Sequence, residues 1–121
     1  MSLLDQIAQA NDLWDEEVEV PEWGLTMTLR TPTLAERSAL LKAFVREDGT
    51  PLGTNDLGEM YVAVLTATCV DPETGARLFG PGDGDLLRSK NGQVVERIAT
   101  VALRLCGMSG DAVPTGSAAS S

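Results

Sequence analysis

Two short stretches on either side of Pro21-Glu22-Trp23-Gly24 alternate apolar and polar residues. Val18 and Val20 are interleaved with Glu17 and Glu19, and Leu25, Met27 and Leu29 with Thr26, Thr28 and Arg30. Side chains of a strand point alternately to its two faces, so this period of two predicts a pair of half-apolar strands. Pro fixes φ at one turn position and Gly permits φ > 0 three residues on, so the pair closes as a hairpin over Glu16 to Arg30. An isolated two-stranded hairpin is marginal in water, so its apolar face must lie on something else. The rest of the chain offers only helices for that purpose. The expected fold is α+β: a mostly helical single domain over residues 1–108, with an N-terminal β-hairpin packed on about three main helices.

The helices are marked by their caps and by apolar spacing. Ser2 caps a first helix with Asp5 in its first turn, and Leu3, Leu4, Ile7 and Ala8 form one face as far as Asn11. Trp14 follows in a short acidic connector. Thr33-Leu34-Ala35-Glu36 has the capping-box pattern directly after Pro32, predicting a helix to about Glu47 with Leu34, Leu41, Phe44 and Val45 on one side. After a loop of Asp48 to Gly53, the segment Asn55 to Cys69 has little polar surface and is expected to be the central core helix. Val70 to Gly75 is a turn, and Arg77-Leu78-Phe79 returns from it either as a minimal second hairpin or as an extended loop. Asp85 to Ser89 suits one helical turn. Asn91 caps the last helix, in which Val94, Ile98, Val101 and Leu105 step by four, three and four, and Gly107 ends it. Residues 109–121 are Ser, Gly, Ala, Thr and Pro with little else and are expected to form a flexible tail.

Charge and composition exclude several functions. The chain carries 18 acids against 9 bases and no histidine. Phosphate-mediated nucleic-acid binding needs clustered Lys and Arg, and none is present. Without histidine, imidazole acid–base catalysis and imidazole metal ligation are excluded. Seven acids (Asp5, Asp12, Asp15, Glu16, Glu17, Glu19 and Glu22) fall in residues 1–29, which hold no base. That quarter is either a solvated face or a patch for a basic partner. No positive n-region opens the chain, since the first base is Arg30, and no apolar run is long enough to span a bilayer. Cys69 and Cys106 lie far apart on apolar patterns and suit two buried thiols in a reducing cytoplasm.

No catalytic motif appears: no G-x-S-x-G, P-loop, G-x-G-x-x-G or C-x-x-C. Gly80-Pro81-Gly82-Asp83-Gly84 lacks the Lys of a phosphate loop, and Asp71, Asp83 and Asp85 lack calcium-loop spacing. No enzyme, cofactor or metal is expected. Trp14 and Trp23 either pack on the helices or, for Trp23 at the hairpin tip, anchor a partner.

Leu3-Leu4-Asp5-Gln6-Ile7, Asn11-Asp12-Leu13, the run Glu17-Val18-Glu19-Val20-Pro21-Glu22-Trp23-Gly24, Arg30 and Leu34-Ala35-Glu36-Arg37 together resemble the start of tail assembly chaperones of long-tailed bacteriophages. The order of elements as far as Leu105-Cys106-Gly107-Met108 is similar as well. The resemblance implies a helper in the host cytoplasm, absent from the mature virion. It would coat the tape measure protein, keep that chain soluble and recruit tail tube subunits. A longer form made by ribosomal frameshifting is also implied. The residues expected to meet a partner are Leu3, Leu4, Ile7, Trp14 and Trp23, and self-association is a further expectation. Two rival classes are a structural tail or connector subunit retained in the particle and an acidic DNA mimic. The mimic needs acids along a whole face, whereas here they fill one quarter.

Overall fold

The computed structural model describes residues 1–53 and 56–108 of the 121. The expected tail, 109–121, and the first residue of the expected core helix, Asn55, lie outside the described residues. In chain order the elements are α1 (Leu3–Gln9), β1 (Asp15–Val20), β2 (Leu25–Arg30), α2 (Leu34–Ala43), α3 (Leu57–Thr68), β3 (Cys69–Val70), α4 (Gly84–Arg88) and α5 (Gly92–Leu105).

The hairpin forms as its alternation dictates. β1 and β2 pair antiparallel from Asp15↔Arg30 to Val20↔Leu25. Pro21–Trp23 makes a single 3₁₀ turn, and Gly24 closes it at φ 69, where a Cβ would be strained. Val20, Met27 and Leu29 are buried on the inner face. α3 and α5 pack against each other and carry that face: Val64 and Leu65 of one meet a stripe of Val94, Val95, Ile98, Ala99 and Ala102 on the other in a common core. The small residues Ala99 and Ala102 let α5 approach closely. Val101 and Leu105, expected in the stripe, are only half-buried at its edge.

A third strand extends the sheet. Cys69 and Val70 pair antiparallel with Leu29 and Thr28, so β2 is central in the order β1-β2-β3. Val70 also bridges Arg77, with Asp71 N–H donating to Ala76 O at 2.9 Å and Leu78 N–H to Cys69 O at 3.0 Å. Of the two readings of this segment, the minimal second hairpin is the one present. Val70 thus belongs to a strand, not to a turn.

The capping box expected at Thr33 closes. Thr33 Oγ1 accepts from Glu36 N–H at 3.1 Å, and Glu36 Oε1 from Thr33 N–H at 2.9 Å. α2 is shorter than expected, ending at Ala43, and it buries Leu40 alone. Leu34, Leu41 and Val45 of the expected face are exposed. The apolar residues of α2 do not form one stripe, and its packing on α3 selects Leu40. Arg37 then donates from Nε to Cys106 O at 2.9 Å, satisfying a carbonyl at the open end of α5. That end is closed by Gly107 at φ 70, with Gly107 N–H on Arg104 O at 3.0 Å and Met108 N–H on Leu103 O at 2.8 Å. Asn91 Oδ1 accepts from Gln93 and Val94 N–H at the other end.

Candidate partner-binding surface

α1 is built by its own ends. Ser2 Oγ accepts from Asp5 N–H at 3.1 Å and Asp5 Oδ2 from Ser2 N–H at 3.2 Å, while Ala10 N–H returns to Gln6 O and Ile7 O. The helix stops at Gln9, two residues before the expected Asn11. None of its residues is buried. Leu3, Leu4 and Ile7 share a stripe and are 72%, 74% and 62% exposed. A seven-residue helix is marginal in water unless something packs on its apolar side. Among the described residues nothing buries this apolar stripe.

Of the two tryptophans, Trp23 packs on the core and Trp14 does not. Trp14 is 60% exposed although its backbone is fixed, with its N–H on Thr31 Oγ1 at 3.1 Å and its O accepting from Thr31 N–H at 3.0 Å. Leu34, 80% exposed, borders the same depression, with Pro32 and Leu105 in its floor. Trp23, at the hairpin tip, is half-buried against the core. The five expected residues thus fall into two places. Leu3, Leu4, Ile7 and Trp14 precede β1, and Trp23 follows it at the opposite end of the hairpin.

Trp23 is one wall of an apolar cleft of about 570 Å³, formed with Leu25, Met27, Leu78, Phe79, Leu86 and Leu87. Sequence reasoning passed over this cleft. Its walls come from the hairpin tip, the return at Leu78-Phe79 and the one-turn helix α4, three segments with no shared periodicity. Leu25, Leu78 and Leu86 are exposed in it, and Glu22, Asp83 and Lys90 stand on its rim.

The acidic quarter is partly spent inside the fold. Asp15 pairs with Arg30 at 2.7 Å, Glu16 with Arg104, and Glu22 with Arg97 at 2.7 Å. The Arg97 hydrogen bonds hold the Glu22 carboxyl down at about 2, and Arg30 likewise lowers Asp15. Glu17 and Glu19 lie on the exposed face of β1, which Asp15 shares. Glu17, Glu19 and Asp12 form no ion pair among the described residues. Burial pushes the Cys69 thiol up to about 12 and Cys106 to about 11, which keeps both protonated and unreactive. Among the described residues no three carboxylates or thiols gather as a metal site, and no helix is long and apolar enough to cross a membrane.

The model of a family described as phage tail assembly chaperone matches residues 2–116. A solved structure of the tail assembly chaperone of bacteriophage HK97 superposes with a TM-score of 0.55 over 84% of this chain and 91% of that one. The two are 23% identical, so this likeness speaks to the fold alone. No curated protein matches the chain.

Proposed function

The chain belongs to the phage tail assembly chaperone family, and from that premise we propose that it binds the phage's tape measure protein, keeps it soluble and brings tail tube subunits to it. The observation that carries this reading is α1: a capped helix whose apolar stripe is exposed. A long helical client with an exposed apolar stripe is the chemical complement of such a face. Leu3, Leu4 and Ile7, with Trp14 in the connector that follows, supply the contact. Burying each of the three aliphatic side chains contributes ~1.5–3 kcal/mol before the costs of association. Glu17 and Glu19 on the exposed face of β1 keep the complex in solution.

The role is binding, without catalysis. It is completed in the host cytoplasm, and the protein leaves before the virion matures. Co-expression with the tape measure protein and mass spectrometry of purified virions test this together. The expected results are a soluble, co-purifying tape measure protein and particles free of this chain. A chain that leaves the tape measure protein insoluble and is found in virions is instead a structural tail or connector subunit.

A further inference from the structure

We propose that the cleft between the hairpin turn and α4 is a second binding site, which takes a short apolar segment of a partner protein flanked by carboxylates. Trp23, half-buried, lines it with the buried Phe79 and Leu87, while Leu25, Leu78 and Leu86 are exposed in it. Ligand sites are commonly apolar clefts of ~300–1,000 Å³ with a few polar groups that fix orientation. This cleft, at about 570 Å³ with charged groups at its rim, has that form. It is open to solvent, so a segment lies across it and seats a few side chains.

Charge on the rim selects the partner. Three ionised side chains line the cleft: Glu22, Asp83 and Lys90. Arg97 grips Glu22 with both arms of its guanidinium, and Asp83 Oδ2 accepts from Gly80 N–H at 2.7 Å. Both acids are thus engaged within the chain. Lys90 is exposed and makes no ion pair among the described residues. Its backbone is fixed, with Lys90 N–H donating to Leu87 O at 3.1 Å where α4 ends, directly before the Asn91 cap of α5. A cation so placed on an apolar cleft attracts a segment whose apolar residues run into carboxylates and repels one that runs into Lys or Arg.

The cleft is separate from the α1 surface. Its described lining begins at Glu22, so it shares no residue with α1 or Trp14. It lies at the turn end of the hairpin, whereas Trp14 stands before β1, whose six residues span roughly 20 Å. The site therefore goes beyond the proposed function and does not depend on it.

A few side chains across an open cleft bury far less than the ~1,200 Å² of a stable protein complex, so binding here is weak and its selectivity rests on Lys90. Trp23 reports occupancy, because it lines the cleft and Trp14 is the one other tryptophan of the chain. In a Trp14→Phe chain, an apolar segment that displaces water from the cleft shifts the Trp23 emission to the blue.

Titration of the full Trp14→Phe chain with synthetic peptides tests the proposal, with no tape measure protein present, so its failure leaves the proposed function standing. The probe is a blocked peptide with a leucine stripe and a run of glutamates at one end; its control has lysines in place of the glutamates. The glutamate peptide is expected to shift the Trp23 emission saturably, and the lysine peptide to bind about fivefold more weakly. Lys90→Glu is expected to reverse that preference, and Leu86→Asp to weaken both peptides about tenfold or more. Leu4→Asp/Ile7→Asp is expected to bind as the parent chain does. All four substituted positions are exposed, and circular dichroism checks that the fold is kept. A Trp23 emission that no peptide moves overturns the proposal. So do equal affinities for the two peptides, a Lys90→Glu chain that keeps the parent's preference, a Leu86→Asp chain that binds undiminished, or binding lost with the α1 stripe. An emission that shifts with the chain's own concentration before any peptide is added puts a second copy in the cleft and overturns it as well.

Discussion

Arg97 on α5 holds Glu22 in the hairpin turn with both arms of its guanidinium, Nη2 to Oε1 at 2.7 Å and Nη1 to Oε2 at 2.9 Å. The two residues are 75 apart in sequence. Seven residues further along α5, Arg104 pairs with Glu16 near the start of β1. Two rungs from one helix thus fix how the hairpin lies across α5, while apolar burial beneath them supplies the stability. Exposed pairs such as these orient more than they stabilise.

The Glu22 pair sets a pH window. Its carboxyl sits at about 2 in the folded chain against an ordinary 4.5, so its contribution is complete above about 4.5. It is lost as pH falls from there towards about 2. Thermal unfolding of wild type against Glu22→Gln is expected to show a small gap at neutral pH that closes over this range and narrows in high salt. A gap that persists at pH 2 contradicts the pairing.

Leu65 and Ile98 are essentially unexposed at the α3–α5 interface. Changing either to Ala is expected to cost ~2–5 kcal/mol in urea unfolding. Leu34→Ala, at a residue left in solvent on the first turn of α2, is expected to stay within ~0.5 kcal/mol of wild type. Equal losses at Leu34 and Leu65 would mean that α2 packs through the wrong face here.

The ends of α5 are separately testable. Asn91→Ala removes the acceptor for Gln93 and Val94 N–H and is expected to cost ~1 kcal/mol. Gly107→Ala forces a Cβ into a left-handed position, at a similar cost of ~1 kcal/mol. Denaturant midpoints of the two variants check both.

Much of this architecture is written locally. The alternation around Pro21-Glu22-Trp23-Gly24, the cap at Ser2, the capping box at Thr33 and the stop at Gly107 each specify their own geometry within a few residues. Other features depend on distant partners. Cys69-Val70 is too short for a period and becomes a strand only because β2 has a free edge for it. Leu40 and Leu41 are equally apolar, and the approach of α3 chooses between them. For the surface, the α1 stripe was legible as an amphipathic face, but no pattern in the chain says what covers it. The parts of Trp14 and Trp23 were decided by packing, since the turn at Trp23 folds onto the core and the connector at Trp14 does not. The cleft was invisible because its walls come from three separated segments.

The central claim is that the α1 stripe is the surface through which this chaperone holds its client. The direct measurement is the fraction of tape measure protein that stays soluble on co-expression with wild type and with Leu4→Asp/Ile7→Asp, after circular dichroism has shown the variant to be folded. Wild type is expected to keep the client in the soluble fraction and to co-purify with it, and the variant to lose both. Equal solubility and co-purification with the two proteins would contradict the claim.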